Sequence, residues 1–296
     1  MKRPQTLRAL DALKYVIETL RGFGIPEANC PQEARAILKD GLEIDTLRMY
    51  RDNPPLSPGQ LRRLGEILDR RKKREPLQYI LGFVWFYGLK ILVGEGALIP
   101  RPETEILVEE TLRRAGKVRL EEKGRRIKIL DLCTGSGAIA LALAKNLPRA
   151  DILATDISAG ALGWAEKNRR ACGAENVRFL EGDLFGPAGE GKAVFDFITA
   201  NPPYIKEEKL KSLEPEVVCW EPRIALSGGR DGLDLTGRII REAPAHLERG
   251  GFLLVETAGG TGPDVFDRMA GEAGLRMEAL VRDLAGFERV FIAKKA

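Results

Sequence analysis

The chain has 296 residues, 44% of them hydrophobic and 30% charged, with a formal net charge of +4. That length suits two domains or one large domain with an appendage, and the composition is that of a soluble protein with a sizeable core. No apolar run approaches the roughly 20 residues of a membrane span, and the basic start MKRPQTLRALDALKYV lacks the h-region and cleavage site of a secretion signal, so the expected location is cytoplasmic.

Residues 5–22 set Leu7, Leu10, Leu13, Val16, Ile17 and Leu20 at helical spacing, and Gly22 and Gly24 end that helix. Pro31 to Ile44 reads as a second helix, with Ala34, Ile37, Leu38 and Leu42 inward. After the break at Asn53-Pro54-Pro55, Ser57 caps a third helix from Pro58 to about Arg74, with Leu61, Leu64, Ile67 and Leu68 as its apolar face. Residues 1–75 are thus expected to form a helical bundle. It holds no catalytic constellation, so its expected job is binding. Residues 1–85 carry 16 Lys and Arg against 11 Asp and Glu. The densest run, Arg70 to Arg74, reads either as the solvated end of a helix or as a surface for RNA or an RNA-bound partner.

Residues 76–97 change character. Phe83 to Val93 is rich in aromatic and β-branched residues around Gly88, and reads as a β-hairpin linker. Residues 98–296 form the expected catalytic domain. It opens on Leu98-Ile99-Pro100-Arg101-Pro102-Glu103-Thr104-Glu105, an extended approach to a helix reaching about Ala115. By themselves, Arg101 and Glu103 read as punctuation at a helix start.

From Ile127, strands and helices alternate. The strands are Lys128–Leu132, Asp151–Thr155 ending in Asp156, Val177–Leu180 ending in Gly182-Asp183, Val194–Ala200, and Gly251–Glu256. The helices are Ala138–Asn146, a Ser158-capped run to about Cys172, Asp231–Leu247, and Pro263–Ala273. Leu275–Arg282 and Arg289–Ala293 suggest a closing antiparallel pair. This is the pattern of a doubly wound α/β sheet. His246 is the sole histidine, expected at or near the surface, so Ser-His-Asp and Cys-His schemes are excluded. Cys30, Cys133, Cys172 and Cys219 are too widely spaced for a zinc or disulfide framework.

Two motifs carry chemistry. In the first, Asp131-x-x-x-Gly135-x-Gly137 turns a strand into a helix, where glycine allows close backbone approach to a ligand. Asp156, at the tip of the next strand, suits the two hydroxyls of a ribose, and Asp183, at the tip of the third, suits an adenine amino group. Acidic Asp131 favours a cationic ligand over a pyrophosphate. No second nucleotide half follows, which favours S-adenosylmethionine over NAD. The second motif is Asn201-Pro202-Pro203-Tyr204. Its prolines stop the strand ladder, since neither can donate a backbone hydrogen bond. The Asn201 side-chain carbonyl and the Pro202 carbonyl are two acceptors suited to a planar –NH2 group, with the Tyr204 ring to cover it.

Beyond these, Pro76 to Gly82, Phe86-Tyr87-Gly88-Leu89, Ile99 to Glu105, Asp131 to Ala140, Asn201 to Ile205, Glu221 to Leu226 and Gly229 to Leu233 resemble the signatures of the HemK/PrmC family of protein-(glutamine-N5) methyltransferases. The match runs along nearly the whole chain. The resemblance implies a class I S-adenosylmethionine-dependent methyltransferase domain, a seven-stranded Rossmann-like sheet, behind an N-terminal helical domain that grips the substrate. The implied substrate is the glutamine of the Gly-Gly-Gln loop of class 1 peptide chain release factors. The chain is expected to act as a monomer, without direct nucleic-acid contact.

By family pattern, Asp131, Cys133, Thr134, Gly135, Ser136, Gly137, Asp156, Asp183, Leu184 and Asn201 would hold the cofactor. Asn201, Pro202, Pro203 and Tyr204 would do the chemistry, with Arg101 and Glu103 beside the substrate. Three departures stand out: Cys133 for a common glycine, Leu184 where an aromatic ring is frequent, which would weaken base stacking or pass it to Phe185, and Glu256-Thr257-Ala258-Gly259-Gly260-Thr261 for a Glu-x-Gly…Gln pattern. An adenine-N6 methyltransferase and a ribosomal-protein glutamine methyltransferase are the alternatives.

Overall fold

The computed structural model describes residues 6–121, 125–189 and 194–296. The chain forms two compact units, Met1–Gly82 with Pro215–Trp220, and Phe83–Glu214 with Glu221–Ala296.

In the first unit, α1 (Ala9–Gly22) buries Ala9, Ala12, Val16 and Leu20. The expected second helix is shorter than its pattern. It runs as α2 (Cys30–Ala36) and then widens into a π turn, Ile37–Gly41. A side chain at Gly41 would come within 2.8 Å of Ile67 Cδ1, so the glycine lets this turn close on the core. α3 (Thr46–Asp52) escapes a periodicity search because it buries only Met49 and leaves Leu47 and Tyr50 exposed. Asp45 starts it, accepting from Arg48 N at 2.8 Å.

α4 (Pro58–Arg71) opens on a capping box: Gln60 N donates to Ser57 Oγ at 3.2 Å and Ser57 N donates to Gln60 Oε1 at 2.9 Å. α5 (Leu77–Leu81) follows Pro76.

The basic run is divided: Lys72 and Lys73 are exposed just past the end of α4, while its three arginines are held by carboxylates. Arg71 is buried and donates to Glu33 at 2.8 Å and to Glu216 at 2.6 Å. Arg74 donates to the same Glu216 at 2.6 Å, and Arg70 pairs with Glu75. Burial works against the Glu216 charge, yet Arg74 and Arg71 hold its carboxyl below the usual range.

In the second unit, β1 (Phe83–Phe86) and β2 (Leu89–Leu92) form the hairpin, closed by Tyr87-Gly88 with both residues at positive φ. A 3-10 turn at Pro102–Thr104 leads into α6 (Glu105–Glu121). The sheet and its helices follow as β3 (Lys128–Leu132), α7 (Ala138–Asn146), β4 (Asp151–Asp156), α8 (Ala159–Cys172), β5 (Val177–Glu181) and β6 (Phe195–Ala200). Then come α9 (Glu207–Leu210), α10 (Pro215–Trp220, counted with the first unit), α11 (Asp234–His246), β7 (Leu247–Glu256), α12 (Pro263–Glu272), β8 (Leu275–Arg282) and β9 (Glu288–Lys295).

The seven-stranded sheet has the order β5-β4-β3-β6-β7-β9-β8. β3 to β7 pair in parallel, and β9 is antiparallel to both its neighbours. The closing pair is therefore not simply added at the edge: β9 inserts between β7 and β8. β3 and β6 are buried along most of their length, which explains their unbroken apolar runs. The strand order reverses between β3 and β6, and a crevice opens there at the carboxyl ends. His246 lies in the core, not near the surface, with its ring stacked on Phe185 at 4.6 Å.

Candidate active site

A cavity of about 540 Å³ lies at that switch point. Its walls are the strand-end loops at Cys133–Ser136, Asp156–Ser158 and Gly182–Leu184, together with Asn201 and Pro203. Leu98, Pro100 and Thr104 line it from the segment before α6, and Ile224, Leu235 and Arg238 from the segments after β6.

Asp156 organises the cofactor loop. Its Oδ2 accepts from Gly135 N at 2.8 Å and its Oδ1 from Ser158 N at 2.9 Å. Burial raises its pKa, with backbone N–H groups working the other way. Asp131 does not reach the cavity. It is fully buried, its Oδ1 accepting from Thr199 at 2.7 Å and its Oδ2 from Thr134 at 2.6 Å. Burial pushes it up to about 7, against the pull of the two hydroxyls. Its work is to tie the loop after β3 to β6, and not to face a cationic ligand.

Gly137 also stays behind the wall. A Cβ there would sit 3.0 Å from Phe179 and 3.2 Å from Ala165, so this glycine lets α7 and α8 pack closely. Cys133 lines the cavity at φ +55, in the left-handed region that glycine enters freely. Its thiol is pushed upward by burial and by nearby carboxylates.

Asp183 reaches the cavity wall, but Arg238 donates to both its oxygens, at 2.8 and 3.4 Å. Arg238, on α11, carries no signal in the sequence that marks it for this site. Leu184 lines the cavity, whereas Phe185 turns into the core against His246 and offers no stacking surface. Ile157, also unforeseen, supplies apolar wall directly after Asp156.

At the end of β6, Asn201 Nδ2 donates to Thr104 Oγ1 at 3.3 Å. Oδ1 of Asn201 and the Pro202 carbonyl carry no hydrogen bond among the described residues. Tyr204 does not line this cavity. Its Oη donates to Glu256 Oε1 at 3.0 Å, and burial with the Glu256 charge raises its pKa. Tyr204 instead borders a second cavity of about 680 Å³, shared with Lys206, Leu233 and Thr257–Thr261.

The segment 226–232 backs the motif. Ile205 N donates to Leu226 O and Gly228 N to Ile205 O, and a Cβ on Gly232 would lie 2.4 Å from Tyr204 O. Arg101 and Glu103 lie outside the cavity lining. Arg101 pairs with Glu221, whose Oε2 also accepts from Ile99 N at 3.1 Å. Two motifs far apart in sequence are thus one ion pair.

The residues present fit S-adenosylmethionine. The volume is that of a small-ligand site, carboxylates end β4 and β5, and the remaining wall is largely apolar.

Comparison with known proteins agrees. Residues 11–82 match the model described as PrmC N-terminal domain, and residues 117–218 the model described as Methyltransferase small domain. A release factor glutamine methyltransferase of Thermodesulfovibrio yellowstonii is 41% identical over 98% of this chain and 99% of its own. One of Moorella thermoacetica is 41% identical over 97% of this chain and 98% of its own. Among solved structures, a methyltransferase from Pyrococcus furiosus shares the fold at TM-score 0.50 and 19% identity, covering 71% of this chain and 90% of that one. The chain belongs to the release factor glutamine methyltransferase family.

Proposed function

We propose that this chain transfers a methyl group from S-adenosylmethionine to the side-chain amide N5 of the glutamine in the Gly-Gly-Gln loop of class 1 peptide chain release factors. The observation that carries the residue assignment is the Asn201 carboxamide. With Nδ2 committed to Thr104, Oδ1 of the cavity-lining Asn201 is left as a free acceptor, whereas the next residue, Pro202, is buried and outside the cavity lining, its carbonyl also without a hydrogen bond among the described residues.

Bound S-adenosylmethionine supplies an electrophilic methyl on a sulfonium. Asp156 would hold its ribose, and Cys133 to Ser136 its amino-acid end. An amide nitrogen is a poor nucleophile because its lone pair is delocalised into the carbonyl. Asn201 Oδ1 and the Pro202 carbonyl accept its two N–H bonds, which holds the nitrogen in line and raises its electron density. Tyr204 serves by anchoring the loop through Glu256, not by covering the amide. Arg101 serves the site through Glu221. Residues 1–75 would grip the release factor. Three of the five cations of their basic run, Arg70, Arg71 and Arg74, are engaged with Glu75, Glu33 and Glu216, which leaves only Lys72 and Lys73 open and supports a protein partner over nucleic acid. The enzyme would work as a monomer in the cytoplasm.

The test is transfer of labelled methyl to a purified release factor, to the same factor with its Gly-Gly-Gln glutamine changed to alanine, and to DNA. Label on the first alone supports the assignment, and label on DNA replaces it with adenine methylation.

A further inference from the structure

Asn168, on α8, is fully buried and has no part in the chemistry described so far. Its carboxamide is used to the full. Oδ1 accepts from Leu92 N at 2.7 Å, and Nδ2 donates to Leu92 O and to Ser136 O, each at 3.0 Å. The two backbone groups of Leu92 are thereby satisfied as a neighbouring strand would satisfy them. Turned over, the amide would set N–H against N–H and oxygen against two carbonyls, so only this orientation fits.

The Ser136 carbonyl is one end of the peptide unit between Ser136 and Gly137. The other end, Gly137 N, donates to Thr134 O at 2.9 Å. That peptide plane is held from both sides. Thr134 N donates to Thr155 O and Gly135 N to Asp156. From Thr134 to Gly137, Ser136 N is the one backbone donor without a hydrogen bond among the described residues. Ser136 is 3% exposed and lines the cavity. A backbone N–H in such a place needs an acceptor, and the carboxylate at the amino-acid end of the cofactor is one.

Trp164, four residues earlier, shares the Asn168 face of the helix. Its Nε1 donates to Glu95 O at 3.1 Å, and a Cβ on Gly94 would come within 2.5 Å of its ring. The strap from Leu92 to Gly96, whose last residue also lines the cavity, is thus fixed to the same helix face as the cofactor loop.

We propose that Asn168 is a positioning residue for the cofactor: by pinning the Ser136 carbonyl it sets the loop geometry around Ser136 N–H, the donor for the cofactor carboxylate, and it ties that geometry to the strap at Leu92. The nucleoside end of the cofactor is held separately, at Asp156. The proposal rests on S-adenosylmethionine occupying the cavity and not on which methyl acceptor the enzyme takes.

The experiment has two arms on the full chain. In the first, calorimetry gives Kd for S-adenosylhomocysteine and for methylthioadenosine, which keeps the nucleoside but lacks the amino-acid end. The proteins are wild type, Asn168→Ala and Asn168→Asp, since both variants lose the Nδ2 donor. S-adenosylhomocysteine should weaken by about 10-fold or more in each, with methylthioadenosine within about twofold of wild type. A purely structural Asn168 would lower stability and leave both Kd values of the folded protein unchanged. That result, or equal weakening of the two ligands, overturns the proposal. The second arm needs no variant. Exchange of the Leu92 amide requires its contact with Asn168 to open, and a ligand seated on Ser136 opposes that opening. Saturating S-adenosylhomocysteine should slow this exchange about threefold or more in the wild-type protein, and saturating methylthioadenosine should have much less effect. Equal exchange with the two ligands overturns the proposal.

Discussion

Asn201 Nδ2 donates to Thr104 Oγ1 across 3.3 Å, joining the end of β6 to the turn that starts α6. The contact holds the carboxamide in one orientation and leaves its carbonyl oxygen for a substrate. Asn201→Ala should lower kcat by on the order of 100-fold while cofactor affinity changes little. Labelled-methyl transfer with calorimetric Kd checks this, and a variant with near-normal turnover removes Asn201 from the reaction.

Asp156 should behave in the opposite way. Its carboxylate accepts from Gly135 N and Ser158 N and lines the cavity. Asp156→Ala deprives the loop and the ligand of a charged acceptor, a loss of about 1.5–3 kcal/mol, or roughly 10- to 150-fold in cofactor Kd. Saturating cofactor should restore much of the rate. A kcat defect with unchanged Kd contradicts the assignment.

Arg101 and Glu221 should act as a stability pair. The Glu221 side chain is 1% exposed, and Arg101 is its ion-pair partner. Arg101→Ala leaves a buried charge uncompensated and should cost about 3 kcal/mol of unfolding free energy. Replacing both by apolar residues should recover part of that. Urea titration of the two single variants and the double variant measures the coupling.

Asp131 predicts a pH dependence. Its folded pKa is raised from 3.8 to about 7, so the folded state binds the proton more tightly than the unfolded chain. Its contribution to stability is fully present below about pH 4 and is lost as pH rises through about 7. Asp131→Asn does not titrate, so its stability relative to wild type should rise between pH 5 and pH 8. Denaturation at both values tests this, and a constant difference shows that Asp131 does not titrate in that window.

Cys133 should be an inert thiol. Burial and the neighbouring carboxylates raise its pKa, while Cys219 is exposed. Iodoacetamide at neutral pH should label Cys219 first, well before Cys133. Early modification of Cys133 in the folded enzyme contradicts this. Cys133→Gly should keep methyl transfer, because φ +55 suits glycine.

The sheet strands and their flanking helices were legible because parallel strands buried on both faces produce apolar runs, and Ser57, Ser158 and Pro58 mark helix starts chemically. α3 was not legible, since only Met49 faces inward and no period repeats. In the site, residues at strand tips could be read from spacing: Asp156 and Asn201 stand on the cavity wall. Asp131 and Tyr204 were misplaced, because a sequence does not say which side of a loop a side chain takes.

By itself, the sequence determined the alternation of elements, the cofactor loop and the Asn-Pro-Pro-Tyr stop, since each depends on local backbone chemistry: glycine freedom, a missing proline N–H, and apolar periodicity. Only the tertiary structure decided that β9 lies between β7 and β8, that residues 215–220 pack with the N-terminal helices, and that Arg101 meets Glu221 and Asn201 meets Thr104. Those pairings join residues about 100 positions apart, set by long-range burial that no local pattern encodes.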